Sequence, residues 1–150
     1  MLILLLLCNT MQAQESVFNL GVGAVYGIGA NVSYDRKIKQ LNEHSTLTLG
    51  GYLGLQRGDG YRMGNITNWD YKSFAAPRMT YIYPVSEKLK LYAALMPGLL
   101  ITDPYEHHRS YGFRLGIAGG LRVKLLKNTF FFTELGYNLL CVNIGLSFKL

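Results

Sequence analysis

Leu139-Leu-Cys-Val-Asn-Ile-Gly-Leu-Ser-Phe-Lys-Leu150 alternates without a break. Leu140, Val142, Ile144, Leu146, Phe148 and Leu150 are large and apolar, whereas Cys141, Asn143, Gly145, Ser147 and Lys149 are small or polar. Side chains of a β-strand point alternately to its two faces, so this stretch carries one apolar face along its whole length. That face needs a continuous apolar medium, and for a terminal strand of this length lipid is the medium that fits.

Working back from the C-terminus, the same period of two recurs in segments of roughly ten residues, the length of a tilted membrane-crossing strand. Eight such segments fall near 16–25, 28–37, 46–56, 74–83, 89–101, 111–124, 129–138 and 139–150. In the fifth, Leu89, Leu91, Ala93, Leu95, Pro97, Leu99 and Ile101 share a phase. The sixth places Tyr111, Phe113, Leu115, Ile117, Gly119, Leu121 and Val123 in one phase, against Gly112, Arg114, Gly116, Ala118, Gly120, Arg122 and Lys124 in the other. A water-facing set would favour Lys, Glu and Thr, as on a soluble lipocalin-like barrel, which is the alternative architecture. Glycine interspersed with Arg and Lys instead suits a narrow polar lumen. The expected fold class is therefore all-β, an eight-stranded antiparallel up-and-down transmembrane β-barrel.

With both termini at the periplasmic end, 84–88 and 125–128 are short periplasmic turns, 39–45 a medium one, and 57–73 and 102–110 the longest external loops. The links at 26–27 and 138–139 are very short for external ones. Tyr34, Tyr83, Phe131 and Phe148 fall near the periplasmic strand ends, and Tyr111, Phe113 and Tyr137 near the outer ends, as aromatic girdles at membrane interfaces do.

Met1 to Cys8 is an apolar run, followed by Asn-Thr-Met-Gln-Ala-Gln before the first charge at Glu15. It is too short for the about 20 residues of a spanning helix and reads as a secretory signal peptide cut near Ala13 or Gln14, so that 1–14 is signal and 15–150 barrel. Cleavage leaves only Cys141, which makes no intramolecular disulfide. The chain is basic, with 15 Lys plus Arg against 9 Asp plus Glu, but the cations are scattered singly, which argues against a nucleic-acid partner.

Phe132-Thr-Glu-Leu-Gly-Tyr-Asn followed by Val142-Asn-Ile-Gly-Leu-Ser-Phe-Lys-Leu resembles the end of small outer-membrane β-barrel proteins, the OmpX-like and OmpA-like eight-stranded barrels of Gram-negative bacteria. Lys88-Leu-Lys-Leu-Tyr-Ala-Ala-Leu-Met-Pro-Gly-Leu is similar to an internal strand of that family. The chain is expected to be a monomer with a structural or surface-interaction role and no cofactor, a soluble periplasmic ligand-binding barrel being one alternative. The resemblance implies an integral bacterial outer-membrane protein without catalytic activity. It also implies a C-terminal aromatic signal read by the barrel-assembly machinery, which Phe148 would carry, two residues before Leu150.

Charges in the lumen phase form the main candidate site: Arg78, Lys90, Arg114, Arg122 and Lys124 with one inward acid, Glu134, expected to bridge Arg114 or Arg122, and Asp35 near a rim. Charge in a narrow interior is paired or hydrated, so a structural plug is the expectation and an anion-favouring pore its rival. Arg57, Arg62, Trp69, Lys72, His107, His108 and Arg109 give the external loops a basic and aromatic surface suited to lipopolysaccharide phosphates. His108-Arg109-Ser110 has the His-x-Ser spacing of lipid A deacylases, which makes a lipid A-modifying enzyme the alternative function. His107 and His108 with Asp103 and Glu106 would bind metal only in an irregular loop. Arg57-Gly58-Asp59 matches an integrin-read tripeptide, in the longest external loop.

Overall fold

The computed structural model describes residues 15–24, 27–42, 44–59, 69–103, 109–137 and 141–150. Eight strands follow in chain order: β1 (Ser16–Ala24), β2 (Ile28–Asn42), β3 (Ser45–Asp59), β4 (Trp69–Pro84), β5 (Leu89–Asp103), β6 (Ser110–Lys124), β7 (Thr129–Tyr137) and β8 (Val142–Lys149). Each is antiparallel to the next, and β1 pairs with β8 from Val17↔Lys149 to Ala24↔Val142, closing an up-and-down barrel with no free edge. The proposed signal segment and the tip of the first long loop lie outside the described residues.

The barrel turns its apolar phase outward. Val142, Ile144, Leu146 and Leu150 are exposed, while Asn143 and Ser147 are buried inside, and the same division runs round the wall, with Leu53 59% and Ile117 52% exposed. Apolar side chains that face away from a closed core need hydrocarbon around them, which makes this a transmembrane barrel. Tyr81 and Tyr83 near one end, and Tyr71, Tyr111, Phe113 and Tyr137 near the other, stand exposed on the outer surface.

Several strand ends differ from the sequence expectation. β1, β7 and β8 have 9, 9 and 8 residues, close to the roughly 9–11 needed to cross, but the strands between them have 15 or 16 and overhang the membrane. β2 continues to Asn42 through bulges after Lys37 and Gln40, where both faces meet water and the alternation that marks a strand disappears. β3 and β4 zip outward to Arg57↔Tyr71 and Asp59↔Trp69. Arg57-Gly58-Asp59 is therefore ladder backbone and not the displayed loop expected of it. β8 begins at Val142, not at 139.

Local chemistry sets the turns. Val85 N–H donates to the Leu89 carbonyl at 2.9 Å and Leu125 N–H to that of Thr129 at 2.9 Å, closing the two tight connections. Gly27 between β1 and β2 has φ 142°, and a β-carbon there would fall on the Arg57 carbonyl, so only glycine fits.

One place in the wall lacks its hydrogen bonds. The β4–β5 register runs Ala75↔Leu99 and then Met79↔Leu95, which sets Pro77 directly opposite Pro97 with no bridge over the intervening residues. Neither proline has an N–H to give, and proline is otherwise confined to sheet edges, which a closed barrel does not have.

Inside, the outer half of the lumen is filled by an apolar cluster of Tyr52, Phe74, Ala76, Ala94, Met96 and Ala118. Tyr52 and Phe74 meet with ring centroids 5.9 Å apart. This half is more apolar than the polar lumen the sequence pointed to, although Asn31 and Gln56 are also buried in it. Eight strands leave room for side chains only, and here the side chains fill it.

Candidate functional site

Below the apolar cluster lies an ionic layer. Asp35 on β2 and Glu134 on β7 face Arg78 on β4 and Arg122 on β6, and all four are buried. Arg78 Nη2 donates to Glu134 Oε2 at 2.8 Å and Arg122 Nη2 to Asp35 Oδ2 at 3.2 Å, while Arg78 Nε lies 3.6 Å from Asp35 Oδ1. Two cations balance two carboxylates. Tyr92 on β5 sits against both guanidiniums, its ring centroid 5.8 Å from Arg78 Cζ and 4.7 Å from Arg122 Cζ, and its hydroxyl donates to Glu134 Oε2 at 3.1 Å.

Neutral side chains extend the layer to every strand. Asn19 of β1 donates to Ser33 Oγ at 2.8 Å and Asp35 Oδ2 at 3.1 Å, and Ser147 of β8 donates to Asn19 Oδ1 at 2.6 Å. Thr80 Oγ1 donates to Asp35 Oδ1 at 3.3 Å and accepts from Arg78 Nε at 3.2 Å, and Thr48 of β3 donates to the Thr80 carbonyl at 3.3 Å. A buried charge is tolerable only when paired and hydrogen-bonded, and here hydrogen bonds and ion pairs link all eight strands into one crosspiece.

The structure brings together Arg78, Arg122 and Glu134, but not in the pairing the sequence suggested. Glu134 holds Arg78, and Arg122 goes to Asp35. Asp35 is 0% exposed at the centre of the layer and not near a rim. The reason is the long β2, whose extra residues beyond 37 hang outside and lift Asp35 to mid-lumen. Arg114 does not join the layer: β7 ends with Tyr137 opposite Ile117, so Arg114 lies beyond its reach and is exposed. Lys124, last residue of β6 beside the 125–128 turn, is also exposed. Lys90 lies at the mouth below, its ammonium 5.2 Å from the Phe130 ring centroid.

Sequence reasoning missed Tyr92, Thr80, Asn19 and Ser147. Their parity was visible, since each shares the inward phase of its strand. Replacing Tyr92 with phenylalanine is expected to cost about 1.5–3 kcal/mol, the range of one hydrogen bond to a charged group, because both arginine contacts to the ring survive. Tyr92→Leu, which removes these as well, should cost more in urea unfolding of the detergent-refolded protein.

The outer surface residues are placed unevenly. Arg57 is exposed with its Cζ 6.0 Å from the Tyr71 ring centroid, Lys72 is half-buried, and Arg109 donates to Asp103 at 2.8 Å in the open. Trp69 begins β4. Arg62, His107 and His108 lie outside the described residues, and with His108 goes the His-x-Ser pair; Ser110 opens β6 opposite Thr102.

At the other end Phe148, half-buried, stands between Phe18 of β1 and Thr129 of β7, and Leu150 N–H donates to the Ser16 carbonyl at 2.9 Å. Lys149 Nζ donates to Glu15 Oε1 at 2.5 Å, and this bond is the first cause that holds the Glu15 carboxyl below its ordinary 4.5. A depressed carboxyl contributes stability above its unfolded value and loses it as the pH falls through the folded one. The Leu150 amide chemical shift is therefore expected to move on acidification below the ordinary carboxylate value of 4.5, as the Glu15–Lys149 bond is lost.

Among solved structures, the chain is similar to Neisserial surface protein A, with a TM-score of 0.57 and 13% identity over 91% of this chain and 96% of that one. It is also similar to the outer-membrane protein Ail of Yersinia pestis in a phospholipid nanodisc, with a TM-score of 0.55 and 14% identity over 93% and 100%. A major outer-membrane protein of Thermus thermophilus gives 0.53 and 12% over 93% and 100%. No protein-family model matches the sequence, and no curated protein does. At these identities the likeness is one of fold: the chain has the architecture of the small eight-stranded outer-membrane barrels.

Proposed function

We propose that the protein is an integral bacterial outer-membrane barrel, exported by residues 1–14 and acting as a closed, monomeric, non-catalytic wall element that presents its outer rim to the cell surface. The observation that carries this reading is the doubly blocked lumen, with an apolar cluster above an ionic layer that engages every strand. Such an interior serves stability and leaves the overhanging hairpins β3–β4 and β5–β6 as the surface available for contact. Lipopolysaccharide phosphates are the partner chemistry that suits Arg57, Lys72 and Arg109 there, with Arg62, Trp69, His107 and His108 in the same loops by sequence. Phe148 and Leu150 at the seam between first and last strands are the residues for the barrel-assembly machinery to read.

Planar-bilayer recording tests the reading. The purified barrel is expected to give no steady current, and a stable anion-selective conductance that Arg122→Ala abolishes would replace the wall element with a pore. Proteolysis of intact cells is expected to cut only in the loops following Asp59 and Asp103.

A further inference from the structure

Beneath the ionic layer, at the end where residues 15 and 150 lie, a cavity of about 60 Å³ opens into the barrel. Its charged lining is Lys37, Lys90, Arg122 and Lys149 with one carboxylate, Glu15. That carboxylate is engaged by Lys149. Arg122 gives one arm to Asp35, and its Nε is buried without a hydrogen-bond partner. Lys90 rests on the face of Phe130, which attracts the ammonium but accepts no conventional hydrogen bond, and Lys37 Nζ has the neutral Gln40 Oε1 at 3.2 Å. With Arg122 already balanced by Asp35 in the ionic layer, three ammoniums remain against the single carboxylate of Glu15, an excess of two positive charges around a half-enclosed space.

We infer that this cavity binds a phosphate group, either free inorganic phosphate or the headgroup of an anionic phospholipid in the adjoining leaflet. A water position needs about 10–15 Å³, so the space holds about four to six such positions, the room one tetrahedral oxyanion takes. Lysine ammoniums and a guanidinium are the donors that phosphate oxygens select, and a doubly charged oxyanion neutralises the excess. The inference rests on the closed-lumen reading in one respect: the ionic layer above keeps the anion from passing through. Conductance tests that reading and binding tests this one, so the two fail separately.

The test is a titration of the isotope-labelled barrel, in phosphatidylcholine nanodiscs at constant ionic strength, with inorganic phosphate against a chloride control. Saturable amide shifts at Lys37, Lys90, Arg122 and Lys149, with none at Gly98 in the outer half, are the expected result. K90Q and K37Q should each weaken phosphate about tenfold, the equivalent of one charge-assisted hydrogen bond. Lys37 lies where β2 leaves the membrane, so K37Q carries the comparison if K90Q does not fold. Nanodiscs containing phosphatidylglycerol identify the source: the same residues shift in advance and phosphate competes if the headgroup occupies the cavity, whereas an unchanged spectrum and affinity mark free phosphate. Shifts that rise linearly without saturating, or that persist undiminished in K37Q, would overturn the site.

Discussion

Replacing Asp35 by alanine is expected to lower the unfolding free energy by about 3–5 kcal/mol, the cost of stranding a buried charge. Asp35 is the acid that holds Arg122, and it also faces Arg78 at 3.6 Å and accepts from Thr80 and Asn19. Without it two buried guanidiniums share the single carboxylate of Glu134. The loss is read in urea titrations of the refolded barrel, followed by the gel shift between folded and heated forms. A loss below about 1 kcal/mol, typical of an exposed pair, would show that water reaches the layer. Removing both members of a pair is the informative control. In Arg122→Met with Asp35→Leu no charge is stranded, and the double variant should be closer to the parent than Asp35→Ala is.

Gly145→Val should do comparable harm, at the top of the range for overpacking or beyond it, about 3 kcal/mol or more. Gly145 of β8 lies opposite Gly21 of β1 in the seam that closes the barrel. A β-carbon there would fall on the Leu20 carbonyl oxygen, within 2.7 Å of Gly21 Cα and of Phe132 Cε1. Backbone on the facing strand cannot rotate away as a side chain can, so the first and last strands must separate. The expected result is loss of the compact, heat-modifiable band, while Gly51→Val, at a glycine with open space around its missing side chain, folds normally. Equal behaviour of the two variants would contradict the packing at the seam.

Strand parity was legible in the sequence, and height was not. Alternation is a local property, so the closing strand, the outward leucines of β5 and β6 and the inward phase of Arg78, Arg122 and Glu134 could all be read residue by residue. Which inward residues meet depends on cross-strand register, and register is set by how far each hairpin extends beyond the membrane. The outer continuation of β3 to Asp59 and the inner continuation of β2 to Asn42 carry polar residues on both faces, so periodicity stopped at the membrane boundary. Truncating β2 there put Asp35 at the rim and left Glu134 as the only acid for the arginines. The apolar filling of the outer lumen was hidden for a related reason: Tyr52, Phe74 and Met96 each occupy single inward positions on separate strands, and only their common level makes them a cluster.

The facing prolines give the cylinder an unusual mechanical character. In a barrel each level of hydrogen bonds acts as a hoop that resists flattening, and at the height of Pro77 and Pro97 that hoop is slit. A slit ring ovalises easily unless a spoke spans it. Arg78, adjacent to Pro77 and directed inward, is such a spoke, anchored on the far wall at Glu134. Cohesion at this level thus comes from across the interior, where Arg78 of β4 and Tyr92 of β5 both bond Glu134 and so join the two strands that the ladder leaves open.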